Sequence, residues 1–386
     1  MKYSIISLAM IVFMSCQSSN RDLPTISLNP LQTESVHLNQ LMDSISYIPL
    51  ETNDTCLVSN VRDIQYHKDK LYLFDDNLQK IFIFDIMGNC LSIIADRGNG
   101  PKEYISLSAF YINELKDQLV LIDNTQKKEM VYDLNGHFQY TQSIDYSIKS
   151  VSFLSNGTKL IVRQPVDAVL STGYLLNISD NKGNNIKYFP FTYENGTPIS
   201  SKDHDITVYG NTFYYNYLNN DTIFYFDEQG NFQPQMIVDF NGFGIPDRIK
   251  GLPQRELSHG IINYLRENEF KVASWFSIVA ADMNNLLVSY SYNQTGYFAF
   301  YDYKTNGVTQ SFSNPMIDKV PIFNLSDRYF CNQNTLMFVT SNYKILEDRD
   351  NYLDLIDSTN SLYQLVQGLT VESNPIIIMG HLHLQK

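Results

Sequence analysis

A glycine-rich stretch, Arg97–Tyr104, combines charged and aromatic side chains in the sequence RGNGPKEY. Its two glycines free the backbone and its proline then fixes one dihedral angle. The stretch lacks both the GxxxxGK[ST] pattern and the following helix start that a phosphate-binding loop requires. Two interpretations stay open: a structural turn between repeated units, or a ligand-binding contact at the mouth of the fold through Arg97, Glu103 and Tyr104.

Two groups of histidines and acids are further candidates for chemistry. Asp203, His204 and Asp205 form a compact polar triplet, which suits either a central ligand-binding site or a solvated loop. His381 and His383 are two residues apart on a predicted strand, so they point to one face and can chelate a metal. No third ligand follows from the spacing, so no metal is assigned. The hydrolase motifs GxSxG and HExxH do not occur, and no catalytic residue or cofactor is assigned.

The elements that would position these residues follow from an internal repeat. Apolar runs such as Ile81–Phe84 end in an acid, and the closing acids Asp85, Asp133, Asp180 and Asp227 are separated by steps of 48, 47 and 47 residues. Glycines three positions after each acid repeat the same steps. β-branched and aromatic residues between turn residues are typical of short strands. A period this regular predicts a repeat architecture.

The repeat length predicts an all-β fold, a six-bladed β-propeller, because a unit of about 40–50 residues with four short strands is the size of one blade. The next acid, Asp302, follows Asp227 by 75 residues, so a helical insertion is expected at about 247–270. A second helical insertion is expected at about 348–368, inside the sixth blade. The alternative is an open pair of β-sandwich sheets.

The two ends of the chain supply what the sixth blade lacks. The early segment offers a strand around Ile45–Ile48, and the chain closes with the apolar run Ile376–Leu384. Pairing these segments would cover two sheet edges that otherwise invite aggregation. We therefore predict a propeller over residues 36–386 that is closed by its own two ends.

The N-terminus is typical of an export signal over residues 1–15. Lys2 precedes the apolar run Ile5–Met14, which is too short for a permanent membrane helix. The string FMSC, ending at Cys16, resembles the lipobox of bacterial lipoproteins, which implies that Cys16 carries a lipid and anchors the chain to a membrane. An ordinary secretory signal is the alternative. Residues 16–35 show no apolar pattern and predict a flexible tether.

Charge and cysteine content exclude several partners. The formal net charge is −13, which argues against nucleic acid because a basic surface is needed to meet phosphates. Besides Cys16, the cysteines are Cys56, Cys90 and Cys331, and no CxxC motif occurs. A thiolate metal site is therefore not predicted, while the pairing of one disulfide among these three stays open.

Four features together carry a resemblance to a known family. They are YIPLET (Tyr47–Thr52), RGNGPKEY (Arg97–Tyr104), the repeated strand-Asp-x-x-Gly units and NPIII (Asn374–Ile378). In these the chain resembles the six-bladed β-propeller lipoproteins of gut anaerobic Gram-negative bacteria, which are related in pattern to NHL-repeat propellers. The resemblance covers essentially the whole mature chain. It implies a propeller in the cell envelope, as an outer-membrane lipoprotein on either face, and it brings no catalytic residues.

Two functions from different classes are compatible with these observations. The first is a binding or scaffold module for a glycan, a peptide or a partner protein, favoured by a rigid repeat platform and by 27 tyrosines whose rings can stack on sugars. The alternative is a propeller lyase or hydrolase acting on sugars or peptides from a site in the central channel, where residues of several blades converge without a linear motif. Convergent carboxylates and histidines in the channel would favour the enzyme.

Overall fold

Six β-sheets stand around a common axis as the blades of a propeller, which confirms the predicted fold class and excludes the sandwich alternative. The computed structural model describes residues 23–163, 172–179, 185–192, 206–216, 220–332 and 334–383. Within each blade, consecutive strands of the chain pair in antiparallel fashion and lie in sequence from the axis outwards. No helix in this described part of the chain is long and apolar enough to cross a membrane.

The strands follow one another blade by blade. Two precede the first complete blade: β1 (Thr25–Ser27) and β2 (Ser46–Pro49). The first blade contains β3 (Val61–His67), β4 (Lys70–Asp75), β5 (Lys80–Asp85) and β6 (Cys90–Ile94). The second contains β7 (Ala109–Asn113), β8 (Gln118–Asp123), β9 (Lys128–Asp133) and β10 (Phe138–Ser143). The third contains β11 (Ile148–Phe153), β12 (Lys159–Arg163), β13 (Thr172–Ser179) and β14 (Asn185–Thr192).

The remaining blades are less uniform. The fourth contains β15 (Ile206–Tyr209), β16 (Thr212–Tyr215), β17 (Thr222–Phe226) and β18 (Phe232–Asp239), with β1 added outside. The fifth contains β19 (Ser274–Ala281), β20 (Asn285–Tyr292), β21 (Thr295–Asp302) and β22 (Gly307–Ser313). A small hairpin follows: β23 (Met316–Ile317) and β24 (Val320–Pro321). The sixth blade contains β25 (Ser326–Asn332), β26 (Thr335–Thr340), β27 (Ile376–His381) and β2.

Helices occupy the two predicted insertions. Between the fourth and fifth blades lie α1 (Asp247–Lys250) and α2 (Gln254–Glu267), which confirms the insertion expected at 247–270. A short helix that the sequence did not predict, α3 (Ile322–Leu325), precedes β25. Between β26 and β27 lie α4 (Asn342–Glu347), α5 (Arg349–Leu355) and α6 (Ser361–Gly368). The second insertion therefore begins at Asn342, six residues before the predicted start.

The core lies at the seams between blades. The central strands of the first blade show why: all four residues of Ile81–Phe84 are fully buried, because neighbouring blades cover both faces of the sheet. Six apolar clusters fill the six seams, and a seventh packs under α1 and α2. The outermost strand β10 is mostly exposed. Apolar runs in the middle strands thus hold the ring together.

The repeated Asp-x-x-Gly motif forms the turn between the third and fourth strands. In the first blade, a carboxylate oxygen of Asp85 accepts hydrogen bonds from the backbone N–H groups of Met87 and Asn89, each at 2.9 Å. Gly88 adopts a φ of 87°, which favours glycine. The same turn recurs at Asp133 with Gly136 and at Asp227 with Gly230.

The two ends of the chain share the sixth blade, as their apolar patterns predict. β2 pairs with β27 in antiparallel register, with Ser46 opposite Met379 and Pro49 opposite Ile376. β2 is the outermost strand, a position that tolerates the missing N–H of Pro49. We call the contact region around these strands the closing seam: it comprises β2, β27, residues 50–58 and the turn at residues 85–88.

One buried side chain connects the parts of the closing seam. The Asn374 amide donates hydrogen bonds to the carbonyl oxygens of Glu51 (2.6 Å) and Cys56 (2.7 Å). Its own oxygen accepts the backbone N–H of Val58 at 2.7 Å. The backbone N–H of Glu51 in turn donates to the Gly88 carbonyl at 2.8 Å, so the first blade is tied to the last.

The N-terminal segment runs along the outer edges of three blades. β1 pairs in parallel with β18 of the fourth blade, Glu34 bridges to Phe312 of the fifth, and β2 belongs to the sixth. Ile26 is fully buried. The predicted flexible tether over residues 16–35 is therefore wrong from residue 25 onwards, and the fold begins before residue 36. The segment lacks a periodic pattern because it gives each blade only a short contact.

Candidate functional site: the central channel

The innermost strands of the six blades enclose an open channel. They are β3, β7, β11, β15, β19 and β25. β25 contacts β3, and each of the strands from β3 to β15 contacts the next inner strand in this order, ending at β19. The cavity has a volume of about 1160 Å³ and is lined from both ends of these strands, for example by Arg328 near the start of β25 and Asn332 at its end. We call the residues that line it the channel wall.

Aromatic rings and neutral polar groups dominate the channel wall beside aliphatic side chains. The rings belong to Phe153, Tyr209, Trp275, Phe323, Tyr329 and Phe330. The hydroxyl and amide groups include those of Gln65, Ser152, Thr207, Ser277, Gln294 and Asn314. Rings provide flat apolar surfaces, while hydroxyls and amides both donate and accept hydrogen bonds. This combination suits a polar ligand with apolar faces.

Few charged groups reach the described part of the channel wall. The cations are Arg328 and Lys344, and the one carboxylate is Glu114. Lys344 donates to the carbonyl oxygens of Phe323 (3.1 Å) and Ser326 (3.4 Å). No histidine lines this described part. The convergent acids and histidines that would favour the enzyme hypothesis are therefore not brought together among these residues.

Two further titratable groups of the channel wall stay protonated near neutral pH. Burial raises the pKa of the Tyr329 hydroxyl to about 12, although its hydrogen bond with Ser289 lowers it. The Tyr329 hydroxyl donates to the Ser289 oxygen at 2.9 Å. Burial likewise raises the pKa of the Cys331 thiol to about 12. Both side chains thus add neutral surface to the channel.

Trp275 is aimed at the channel by a local irregularity. Along β19 and β20, Ser274 pairs with Ser291 and Ser277 with Ser289, so β19 carries an extra residue and forms a bulge. Trp275 lies in this bulge at a φ of 58°, a left-handed conformation that costs a non-glycine residue of order 1–3 kcal/mol. Bulges redirect side chains next to binding sites. The bulge accounts for the indole ring in the channel wall.

Side chains of the channel wall also join neighbouring inner strands. The Gln65 amide of β3 donates to the Phe110 carbonyl of β7 (3.3 Å) and accepts the Ile112 N–H (3.2 Å). At other seams, the Thr207 hydroxyl donates to the Ile278 carbonyl of β19 (2.8 Å). Arg328 similarly donates to the Val61 carbonyl of β3 at 3.1 Å. Backbone edges that face the axis thereby gain hydrogen-bond partners.

The predicted loop site at residues 97–104 lies away from this cavity. Tyr104 is fully buried in the seam between the first two blades, where its hydroxyl donates to the carbonyl oxygens of Gln79 and Ile94. The prediction that Tyr104 contacts a ligand is therefore wrong. Glu103 is exposed, and its carboxylate accepts the backbone N–H of Gly100 at 2.8 Å. This contact lies within the turn itself, and a role of Arg97 and Glu103 in ligand binding stays a prediction.

The other candidate residues from the sequence have three different outcomes. Arg97 is exposed and does not line the channel. Asp203, His204 and Asp205 lie outside the described residues, as does Cys16. The two C-terminal histidines have separate partners, because His381 pairs with the Thr335 hydroxyl (2.9 Å) and His383 with the Asp43 carboxylate (2.8 Å). Across the described ranges, no three His, Cys, Asp or Glu side chains are grouped to hold a metal.

Sequence reasoning missed the channel wall itself. Its residues come from the six innermost strands and from neighbouring turns, strands and helices, and they share no linear motif. The repeat therefore predicts the strands but not the side chains that line the channel. Trp275 did carry a signal, because it is the single tryptophan of the chain and begins a blade.

Two solved structures from Bacteroides species have a fold similar to that of this chain. A protein of Bacteroides fragilis, classed provisionally as exported, has 20% identity and a TM-score of 0.71 over 94% of this chain and 100% of that one. A member of the DUF4221 family from Bacteroides vulgatus has 10% identity and a TM-score of 0.51 over 91% and 99%. At these identities the likeness shows the fold alone.

The sequence itself identifies a family. No functionally curated protein matches it. The model of a family described as "Domain of unknown function (DUF4934)" matches residues 23–381, which is most of the chain and includes β1 and β27. This protein therefore belongs to the DUF4934 family.

Proposed function

We propose that this protein is a lipid-anchored binding module of the cell envelope and that its central channel takes up a glycan chain. The composition of the channel wall carries the proposal. Sugars present apolar ring faces and many hydroxyl groups, so they need stacking surfaces together with neutral donors and acceptors. Trp275 and Phe323 offer the stacking surfaces, and Ser277 and Gln294 offer the neutral donors and acceptors. The volume of about 1160 Å³ accommodates several sugar units.

Anchoring at Cys16 would hold the propeller close to the membrane. Nine residue steps separate Cys16 from Thr25 at the start of β1, which span at most about 32 Å when fully extended. The lipobox-like string FMSC supports this part of the proposal. The proposed relation to NHL-repeat propellers rests instead on the repeated strand-Asp-x-x-Gly units and the other features that carry the family resemblance. Cys16→Ala should abolish labelling by a fatty-acid analogue in cells. Persistent labelling of that variant would refute the anchor.

The single tryptophan provides a direct test of glycan binding. Because Trp275 lines the channel, a sugar that stacks on it should change the intrinsic fluorescence of the purified protein. We expect a saturable change with one set of oligosaccharides from a panel of neutral and acidic glycans, with the same affinity by calorimetry. Trp275→Leu should weaken that affinity about tenfold, measured by calorimetry.

Phe270 offers a matched control. It is also aromatic, has a similar φ of 60° and is 39% exposed, yet it does not line the channel. Phe270→Leu should leave the affinity unchanged. Equal losses in both variants would show that the site is elsewhere. Binding of peptides or of a protein partner instead of glycans would overturn the ligand class, and turnover of a bound sugar would place the protein in the alternative enzyme class.

A further inference from the structure

One thiol of the closing seam, Cys56, lies beside the thiol of Cys90, which follows the seam's turn at residues 85–88. Cys56 follows β2 and is 1% exposed, whereas Cys90 begins β6 and is partly exposed. Both thiols are free in the structure. They pack in the same apolar cluster between the sixth and first blades, together with residues such as Ile48 and Met337. Their side chains lie within hydrogen-bonding reach of one another.

The backbone around both thiols is fixed on each side. The Cys90 N–H donates to the Glu51 carboxylate at 2.8 Å, and the Glu51 N–H donates to the Gly88 carbonyl at 2.8 Å. The Cys56 carbonyl accepts a hydrogen bond from Asn374 at 2.7 Å. Since these contacts already hold the two segments together, little further ordering is needed to join the sulfur atoms.

We propose that Cys56 and Cys90 form a disulfide bond that links residues 50–58 of the closing seam to the outer strand of the first blade. The bond would fix the segment at residues 50–58, which follows β2, against the outer strand of the first blade, so β2 would be held in place for its pairing with β27. This inference does not depend on which ligand the channel binds. It requires only that the protein reaches an oxidising compartment, which the proposed export would provide.

The reaction is thiol–disulfide exchange with a disulfide-bearing oxidant, either a small molecule or an oxidoreductase. The more accessible Cys90 loses its proton and attacks one sulfur of the oxidant, which releases the first thiol and leaves a mixed disulfide. Cys56 then loses its proton and attacks the Cys90 sulfur, which releases the second thiol. The two cysteines together lose two electrons and two protons, and the oxidant gains both.

Cys331 is excluded from this pair by its place in the fold. It lies in β25 and lines the channel, whereas the Cys56 thiol packs among residues of the closing seam. A disulfide is expected to stabilise mainly by restricting the unfolded chain. For a chain of this length we expect the melting temperature to rise by about 4 °C on oxidation.

Peptide mapping tests the proposal directly. Purified full-length protein is incubated with oxidised glutathione, its remaining thiols are alkylated, and it is digested with trypsin. Several lysines and arginines lie between Cys56 and Cys90, so the two cysteines fall in separate peptides. A linked pair of these peptides is expected, with a higher melting temperature that dithiothreitol reverses.

Cys90→Ser and Cys331→Ser separate the outcomes. Cys90→Ser should abolish both the linked peptides and the oxidation-dependent shift, while Cys331→Ser should retain both. Folding of each variant is checked by circular dichroism. Full alkylation of Cys56 and Cys90 after oxidation, a stable glutathione adduct on Cys90, or a link to Cys331 would each overturn the pairing. None of these results depends on glycan binding, so the two proposals fail separately.

Discussion

The closing seam and the channel wall use polar side chains in opposite ways. At the seam, the Asn374 side chain is buried and all its hydrogen bonds go to backbone groups of one short segment. On the wall, residues such as Ser277 and Gln294 face an open volume of about 1160 Å³. Polar groups of the seam are therefore committed to the fold, whereas some of those on the wall remain available to a ligand.

This difference separates what holds the ring from what gives it specificity. Substitution at the seam leaves buried donors and acceptors without partners, which costs about 1–3 kcal/mol for each group. Substitution at a wall position without an inter-strand hydrogen bond changes mainly the surface that a ligand meets. The same ring can thus present different channel walls without losing its closure.

Removing the last strand is the strongest challenge to the seam. Deletion of Asn374–Lys386 removes β27, which lies between β26 and β2, so the sixth blade loses both pairings. Two sheet edges would then be exposed. We expect loss of the cooperative thermal transition, followed by circular dichroism, and aggregation on size-exclusion chromatography. A monomer with the original melting temperature would show that the ring does not depend on its closure.

Two glycines with the same backbone conformation sharpen the comparison. Gly88 and Gly230 both have a φ of 87°, but a Cβ atom at Gly88 would lie 2.0 Å from the Pro49 carbonyl oxygen, while one at Gly230 would meet nothing within 4 Å. Gly230→Ala should cost about 1 kcal/mol from backbone strain alone. Gly88→Ala should cost about 3 kcal/mol, because the seam must also shift.

Chemical denaturation of both variants measures this difference. The two substitutions share the same turn and the same chemical change, so their difference reports the contact with Pro49 alone. Equal losses of unfolding free energy would mean that the closing seam accommodates the added Cβ atom at little cost. That result would contradict the idea that tight packing at this seam holds the ring together.

Local chemistry explains which features the sequence predicts. Asp85 and Gly88 form their turn with partners at most four residues away, so the motif and its spacing suffice to predict it. Tyr104 differs, because its hydroxyl bonds to Gln79 25 residues earlier and its ring is covered by a second blade. Nothing near Tyr104 in the sequence indicates whether the ring faces a ligand or a seam.

The channel wall was unpredictable for a related reason. Gln65, Thr207 and Arg328 each bond to the next inner strand, yet they differ in residue type and in position along their strands. Each of these seams is bridged by a different residue type at a different strand position. The sequence repeat therefore predicts the blades but not the side chains that bridge the inner strands. Only the assembled ring brings these side chains together.

Gln65 tests whether the wall is wholly independent of the fold. It lines the channel, but its amide also joins β3 to β7 through Phe110 and Ile112. Gln65→Ala should lower the free energy of unfolding by about 1–2 kcal/mol, measured by denaturant titration. The exposed Gln229 is the control, and Gln229→Ala should have no measurable effect. If the two variants were equally stable, inner-strand bridges would not contribute to ring stability.

The smallest expected effect is the acid sensitivity of the repeated Asp-x-x-Gly turns. These turns do not line the channel, and of those described here only the turn at residues 85–88 belongs to the closing seam. Hydrogen bonds from the Asn231 side chain and backbone lower the pKa of the Asp227 carboxylate below its ordinary value of 3.8. A lowered pKa in the folded state means that the carboxylate stabilises the fold above pH 3.8 and that this contribution disappears as the pH falls through the folded value.

Asp227→Asn keeps an acceptor oxygen but removes the charge, so the fall of its melting temperature between pH 5 and pH 2 should be shallower than that of the parent protein. Glu228→Gln removes a neighbouring exposed carboxylate and should leave the slope unchanged; a matching change in both variants would point to net charge rather than to the turn.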